Sequence, residues 1–91
     1  MAEPINDYEI TDHAAFEMRR RAIAESLLQA VLAAPEQRGE IRPGRDVLQS
    51  RIAVAGKTYL VRVFVDVDRI PAEVVTVYLT SRIARYWRAE G

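Results

Sequence analysis

The chain has 91 residues, enough for a single domain and not for two. Hydrophobic residues at 49% and charged residues at 29% exclude a disordered chain, and the absence of cysteine excludes disulfides and thiolate metal sites. Lys+Arg and Asp+Glu each number 13, so net charge gives no sign of a nucleic-acid partner.

Residues 1–10, with Pro4 and mixed polarity, read as an irregular or extended lead-in. They have neither a basic start nor an apolar run, so no signal peptide is expected. No apolar stretch approaches the roughly 20 residues of a membrane span. A cytoplasmic location without membrane contact is the expectation. Thr11 or Asp12 can cap a helix running to about Arg21, because a side-chain oxygen there accepts the free amides of the first turn. Ala15, Met18 and Ala22 fall at helical spacing, with His13, Glu17 and Arg20 on an adjacent stripe. A second helix is predicted from about Ala24 to Ala34, its apolar face made by Ile23, Leu27, Ala30, Val31 and Ala34. Pro35 ends it.

From Glu36 to Arg45 the chain is polar and reads as a loop, with a short strand near Ile41 as the one exception. Strands are predicted at about Asp46–Val54 and Thr58–Val67, joined by a tight turn at Ala55-Gly56-Lys57. After Asp68-Arg69-Ile70-Pro71 comes a third, Val74–Thr80, and Ser81 can cap a final helical stretch over Arg82–Arg88. The expected fold is α+β: two N-terminal helices packed on a three- to four-stranded antiparallel sheet, with a short C-terminal helix.

Strand alternation separates two faces. Leu48, Ile52 and Val54, then Tyr59, Val61, Val63, Val65 and Val67, then Val75, Val77 and Leu79 make the core face. The other face carries Gln49, Arg51, Leu60, Arg62, Phe64, Thr76, Tyr78 and Thr80. Arginines, hydroxyls and aromatics mix there, and exposed Leu60 and Phe64 would suit a partner.

The segments ITDHAAFEMRRRAI, LQSRIAVAGKTYLVRVFVD and VVTVYLTSRIARYW resemble the domain-of-unknown-function family 4258, across about residues 9–88. Two departures fall between the helices: Ala22 sits where that family often has Gly, and Ala24 where it often has a cap residue. In layout the family is similar to the compact ribonuclease toxins of the RelE and BrnT kinds. That similarity implies RNA cleavage and neutralisation by a small antitoxin protein, although fold alone does not fix function.

Metal-independent RNA cleavage needs a base for the 2′-OH proton, an acid for the leaving 5′-oxygen, and cations for the charged phosphorane. His13 is the only histidine, the residue type that exchanges protons near neutral pH, and it sits at a helix start where amides favour an anion. Arg51 and Arg62 share a face on neighbouring strands and can converge on one phosphate; pairing with acids such as Asp66 is the alternative. Of the 13 bases only Lys57 is Lys, and Arg grips phosphate in a planar fork. Tyr78 can stack on a base or donate a proton, and Thr80 can bond a phosphate. Arg82, Arg85 and Arg88, interleaved with Tyr86 and Trp87, suit single-stranded RNA. Trp87 also fits, with Ile83, as an anchor for the tail. No cofactor and no metal is expected. The leading expectation is an RNA-cleaving toxin-like domain with His13, Arg51, Arg62 and Tyr78 as its site. A non-catalytic module binding RNA or protein through the same face is the rival, and a homodimer burying Leu60 and Phe64 is a third reading.

Overall fold

The computed structural model describes residues 2–89. In chain order it has β1 (Tyr8–Ile10), α1 (Asp12–Arg20), α2 (Glu25–Ala33), β2 (Gln37–Arg42), β3 (Arg45–Val54), β4 (Lys57–Asp66), β5 (Ala72–Thr80) and α3 (Ile83–Tyr86). The strands form one five-stranded sheet in the order β1-β5-β4-β3-β2.

The architecture is therefore α+β, but the sheet is mixed and larger than expected. Two segments account for the difference. Residues 8–10 of the lead-in pair in parallel with Ala72–Val74, which makes β1 an edge strand. The polar stretch after Pro35 pairs antiparallel with β3 from Gln37 to Arg42, because its alternation, weak as it is, is completed by the neighbouring strand. Thr11 ties β1 to α1: its Oγ1 accepts from the Ala14 amide at 3.1 Å and donates to the Val74 carbonyl at 3.0 Å.

Both N-terminal helices lie on one face of the sheet, α1 against β5 and α2 against β3 and β4. Ala14, Met18, Leu28, Val31 and Leu32 pack there on Leu48, Val61, Val63, Val65, Val74 and Val77. On β5 the expected alternation slips by one. A bulge falls where Phe64 pairs with Thr76 and Val65 with Val74, so Val75 has no partner. Val74, not Val75, is the residue buried in the core.

Two non-glycine residues adopt left-handed backbone, Ala22 (φ 55°) and Ala55 (φ 51°). Ala55 and Gly56 (φ 80°) are the two central residues of the β3–β4 hairpin, whose flanking pair is Val54–Lys57. Ala22 closes α1: its amide donates to Arg19 O and that of Ile23 to Met18 O, the paired bonds of a Schellman motif.

The C-terminal helix is shorter than expected. α3 spans Ile83–Tyr86, and Trp87 is already extended. Ser81 does not cap it; the Thr80 hydroxyl instead accepts from the Arg82 amide at 3.0 Å. Among the described residues no helix is long and apolar enough to cross a membrane.

Candidate functional site

The face away from α1 and α2 is organised by register. Gln37 pairs with Gln49, Gln49 with Arg62, and Arg62 with Tyr78, so these four stand in one row across β2, β3, β4 and β5. Side chains that share a row and a face lie within reach of one another. Here they are bonded in series. Gln49 Nε2 donates to Gln37 Oε1 at 2.8 Å, Arg62 Nε donates to Gln49 Oε1 at 2.9 Å, and Arg62 Nη1 donates to the Tyr78 hydroxyl at 2.7 Å.

The C-terminal segment crosses over this row. The Tyr86 carbonyl accepts from Gln49 Nε2 at 3.1 Å, and the Gln37 amide makes two bonds to the Arg88 backbone, giving at 2.8 Å and accepting at 3.0 Å. Those bonds fall just past the early end of α3, where Trp87 is extended and the Arg88 backbone meets the Gln37 amide. The Tyr86 ring lies 4.2 Å from the Arg62 guanidinium, and Phe64 stacks on Tyr78 at 6.0 Å between ring centroids. Three aromatic rings, those of Phe64, Tyr78 and Tyr86, thus surround one guanidinium.

Arg62 is the buried arginine of the described residues, with 8% of its surface exposed. Its two bonded partners are uncharged, and among the described residues no carboxylate pairs with it. No buried side-chain nitrogen or oxygen of those residues lacks a partner. Nη2 of Arg62 has no bonded group among them. The arrangement is a fixed cation with one open edge.

Arg51 is placed differently. It shares the face but pairs with Leu60, outside the Gln49–Arg62 row. Glu36 grips its Nε at 3.2 Å and Nη2 at 3.0 Å, and its guanidinium lies 4.1 Å over the Trp87 ring. The hydrogen bonds from Arg51 hold the Glu36 carboxyl below the usual carboxylate range. Arg51 is therefore already paired with a carboxylate, and it fastens Glu36 and the C-terminal segment to β3. Asp66, a candidate partner for the face arginines, is taken by Arg45 at 2.6 Å, which lowers its pKa.

His13 stands apart from the row. It is exposed on α1, whose Ala14 and Met18 are buried against the helix-covered face. The sheet thus lies between His13 and the Arg62–Tyr78 pair. Its stripe neighbour Glu17 is occupied by Arg20, at 2.6 Å, and Arg21, at 2.8 Å. The Arg20 bonds hold the Glu17 carboxyl below its ordinary range.

Arg82, Arg85 and Arg88 are all exposed, and none has an ion-pair partner among the described residues. Arg85 lies 5.6 Å from the Tyr86 ring, so it borders the site. The Arg88 guanidinium rests on Gly39, where a Cβ would make it shift. Thr80 spends its hydroxyl on the Arg82 amide. Leu60, expected to be exposed, is fully buried, and Phe64 is half-buried; the homodimer reading loses the apolar patch on which it stood.

Sequence reasoning missed Gln37 and the part played by Gln49. A glutamine in an alternating strand is a weak signal, and Gln37 lay in a stretch read as loop. Among the described residues no group of three or more His, Cys, Asp or Glu could hold a metal. Comparison of the chain with protein-family models, with curated proteins and with solved structures gave no match.

Proposed function

We propose that the protein is a cytoplasmic, RNA-directed domain of the toxin-ribonuclease type, which meets single-stranded RNA on the sheet face around Arg62, Tyr78 and Tyr86. The observation that carries this reading is a buried guanidinium that, among the described residues, is held by neutral groups alone and keeps one nitrogen unbonded. Taking an arginine out of water without a counter-charge costs several kcal/mol (on the order of the effective desolvation penalty) unless an anion completes it. A phosphodiester supplies that charge, the aromatic rings supply stacking surfaces for bases, and Arg82 and Arg85 add charge at the rim. The resemblance across residues 9–88 points the same way.

In cleavage, the 2′-oxygen attacks the phosphorus and gives its proton to solvent water, Arg62 stabilises the charge that gathers on the phosphorane oxygens, and the Tyr78 hydroxyl, already accepting from Arg62, gives its own proton to the 5′-oxygen as the P–O5′ bond breaks. His13 takes no part, since the sheet separates it from both. A small antitoxin would neutralise the protein by covering the same face.

A second reading, a module that binds RNA without cutting it, is favoured by one feature: the Gln37–Gln49–Arg62–Tyr78 row contains no imidazole or carboxylate to accept the 2′-OH proton. Induced expression in a bacterial host, following growth and total RNA, separates the two. Growth arrest with RNA cleavage is expected for the native chain and for His13→Ala, and is lost in Arg62→Met and Tyr78→Phe at equal folded yield. Intact RNA with retained binding of an oligouridylate leaves the module; neither cleavage nor binding ends the RNA reading.

A further inference from the structure

We infer that Gln49, anchored by Gln37, is a positioning residue that holds Arg62 as an uncompensated receptor for one phosphate group. This rests on the RNA reading for the source of the phosphate, not for the existence of the receptor.

The argument starts from how arginines are held elsewhere in the molecule. Arg20 and Arg21 bind Glu17, Arg38 binds Asp46, Arg45 binds Asp66, Arg51 binds Glu36, and Arg69 binds Asp68 and Glu73. Each of these is fixed by a carboxylate, which cancels its charge while orienting it. Arg62, more buried than any of them, is fixed by an amide oxygen and a phenol. An amide orients the guanidinium as well as a carboxylate does, since Nε needs one acceptor, but it leaves the positive charge intact.

The amide can do this only if its oxygen faces Arg62. The network dictates that orientation. Gln49 Nε2 donates to two acceptors, Gln37 Oε1 and the Tyr86 carbonyl, so Oε1 is left for Arg62. Reversing the amide would set NH₂ against the guanidinium donor and oxygen against two acceptors. Gln37 is locked in turn, because its Oε1 also accepts from the Arg88 amide and its Nε2 donates to the Arg88 carbonyl. The relay runs from the backbone of the C-terminal segment through two amides to Nε. It leaves Nη2 as the edge that meets the ligand.

Glutamate at 49 is the discriminating change. It has the same shape and still accepts from Arg62 Nε; it loses the two donations of Nε2 to Gln37 Oε1 and the Tyr86 carbonyl, as Gln49→Met also does, but it alone gives Arg62 the counter-charge it lacks. The experiment uses the full chain with Gln49→Glu, Gln49→Met and Gln37→Met, titrated with inorganic phosphate and separately with an oligouridylate. The Arg62 side-chain NH resonances are followed by NMR. In the native protein a slowly exchanging Nε–H and a phosphate-dependent shift of the Nη signals are expected. Gln49→Glu keeps the slow Nε–H yet binds both ligands at least about tenfold more weakly, the scale of one charge-assisted hydrogen bond. Gln49→Met, and less strongly Gln37→Met, lose the Nε–H protection and weaken binding several-fold (about threefold or more) while the protein stays folded.

A residue that merely packs would not separate Nε–H protection from affinity in this way. Unchanged affinity in Gln49→Glu overturns the inference, as does phosphate that moves no Arg62 signal. If phosphate shifts Arg62 and the oligouridylate does not bind, the receptor stands and the RNA reading falls. If RNA binds without touching Arg62, the RNA reading stands and the receptor falls.

Discussion

Both faces of the sheet carry a cover, complete on one side and partial on the other, and the two covers are of different kinds. On one side two helices of nine residues each, α1 and α2, press an apolar layer onto Leu48, Val61, Val63 and Val77. On the other, a four-residue helix and a short extended segment are tied down by the side-chain amides of Gln37 and Gln49 and by Arg51 over Trp87. Leu48 and Leu60 are equally buried, both at 0% exposure, yet they lie on opposite faces of the sheet. Burial thus does not distinguish a core from a covered site. What distinguishes them is the chemistry beneath: apolar shape on the helix face, and a hydrogen-bonded row around a guanidinium on the other.

The largest effect that tests this contrast is a pair of truncations. Leu48→Ala should cost about 2–5 kcal/mol in urea unfolding, since the helix layer relaxes only partly into the cavity. Leu60→Ala should fall at or below the lower end of that range, because a thin cover with few attachments can settle inward. It should also loosen Tyr86 over Arg62 and speed exchange of the Arg62 Nε–H. Equal costs for the two variants would make the C-terminal segment a second packing layer in its own right, and would break the contrast.

Acid should act on the molecule unevenly. Glu17, Glu36 and Asp66 each have a lowered pKa in the folded state, chiefly through hydrogen bonds from Arg20, Arg51 and Arg45. A carboxyl whose folded pKa is depressed adds stability that is fully present above its unfolded value and lost as pH falls through the folded one. Stability should therefore hold from neutral pH to about pH 5 and decline below about pH 4, as denaturant midpoints would record. The Gln49–Arg62–Tyr78 row has no carboxyl, so binding of an RNA phosphodiester should stay level from about pH 8 to about pH 5. An inflection near neutrality would return His13 to the site and split the comparison along a different line.

The residues of the site were easier to read from sequence than its geometry. Alternation alone put Arg62, Tyr78, Gln49 and Arg51 on one face, because the side-chain period of a strand is fixed. It could not show that Gln49, Arg62 and Tyr78 stand opposite one another, since register depends on strand pairing across the chain. The bulge at Val75 illustrates the limit. One unpaired residue moved Val74 into the core, and no local pattern announces such an insertion. β1 was illegible for a related reason: three residues of mixed polarity become a strand only when β5 offers them an edge. Arg51 and Arg62 looked equivalent in sequence and differ because Glu36 reaches one of them and not the other. Nothing in the sequence says on which side of the sheet His13 falls, because that depends on the face against which α1 packs.

The smallest of the predicted effects concerns a residue that the sequence did flag. Ala22 has φ 55° at the end of α1. A Cβ in the left-handed region clashes with its own backbone, and glycine does not pay this cost. Ala22→Gly should therefore raise stability by about 0.5–1 kcal/mol, after allowing for the freedom glycine adds to the unfolded chain. The gain arises where α1 turns towards α2, close to Arg21, whose Nη1 donates to the Val77 carbonyl of β5 at 2.8 Å. That bond reaches the sheet's backbone next to Tyr78 but not its opposite face. RNA affinity should thus be unchanged while the melting temperature rises. A shift in affinity would mean that strain at the helix junction is felt through β5 at Arg62, and that the two faces, so unlike in their covers, respond as one.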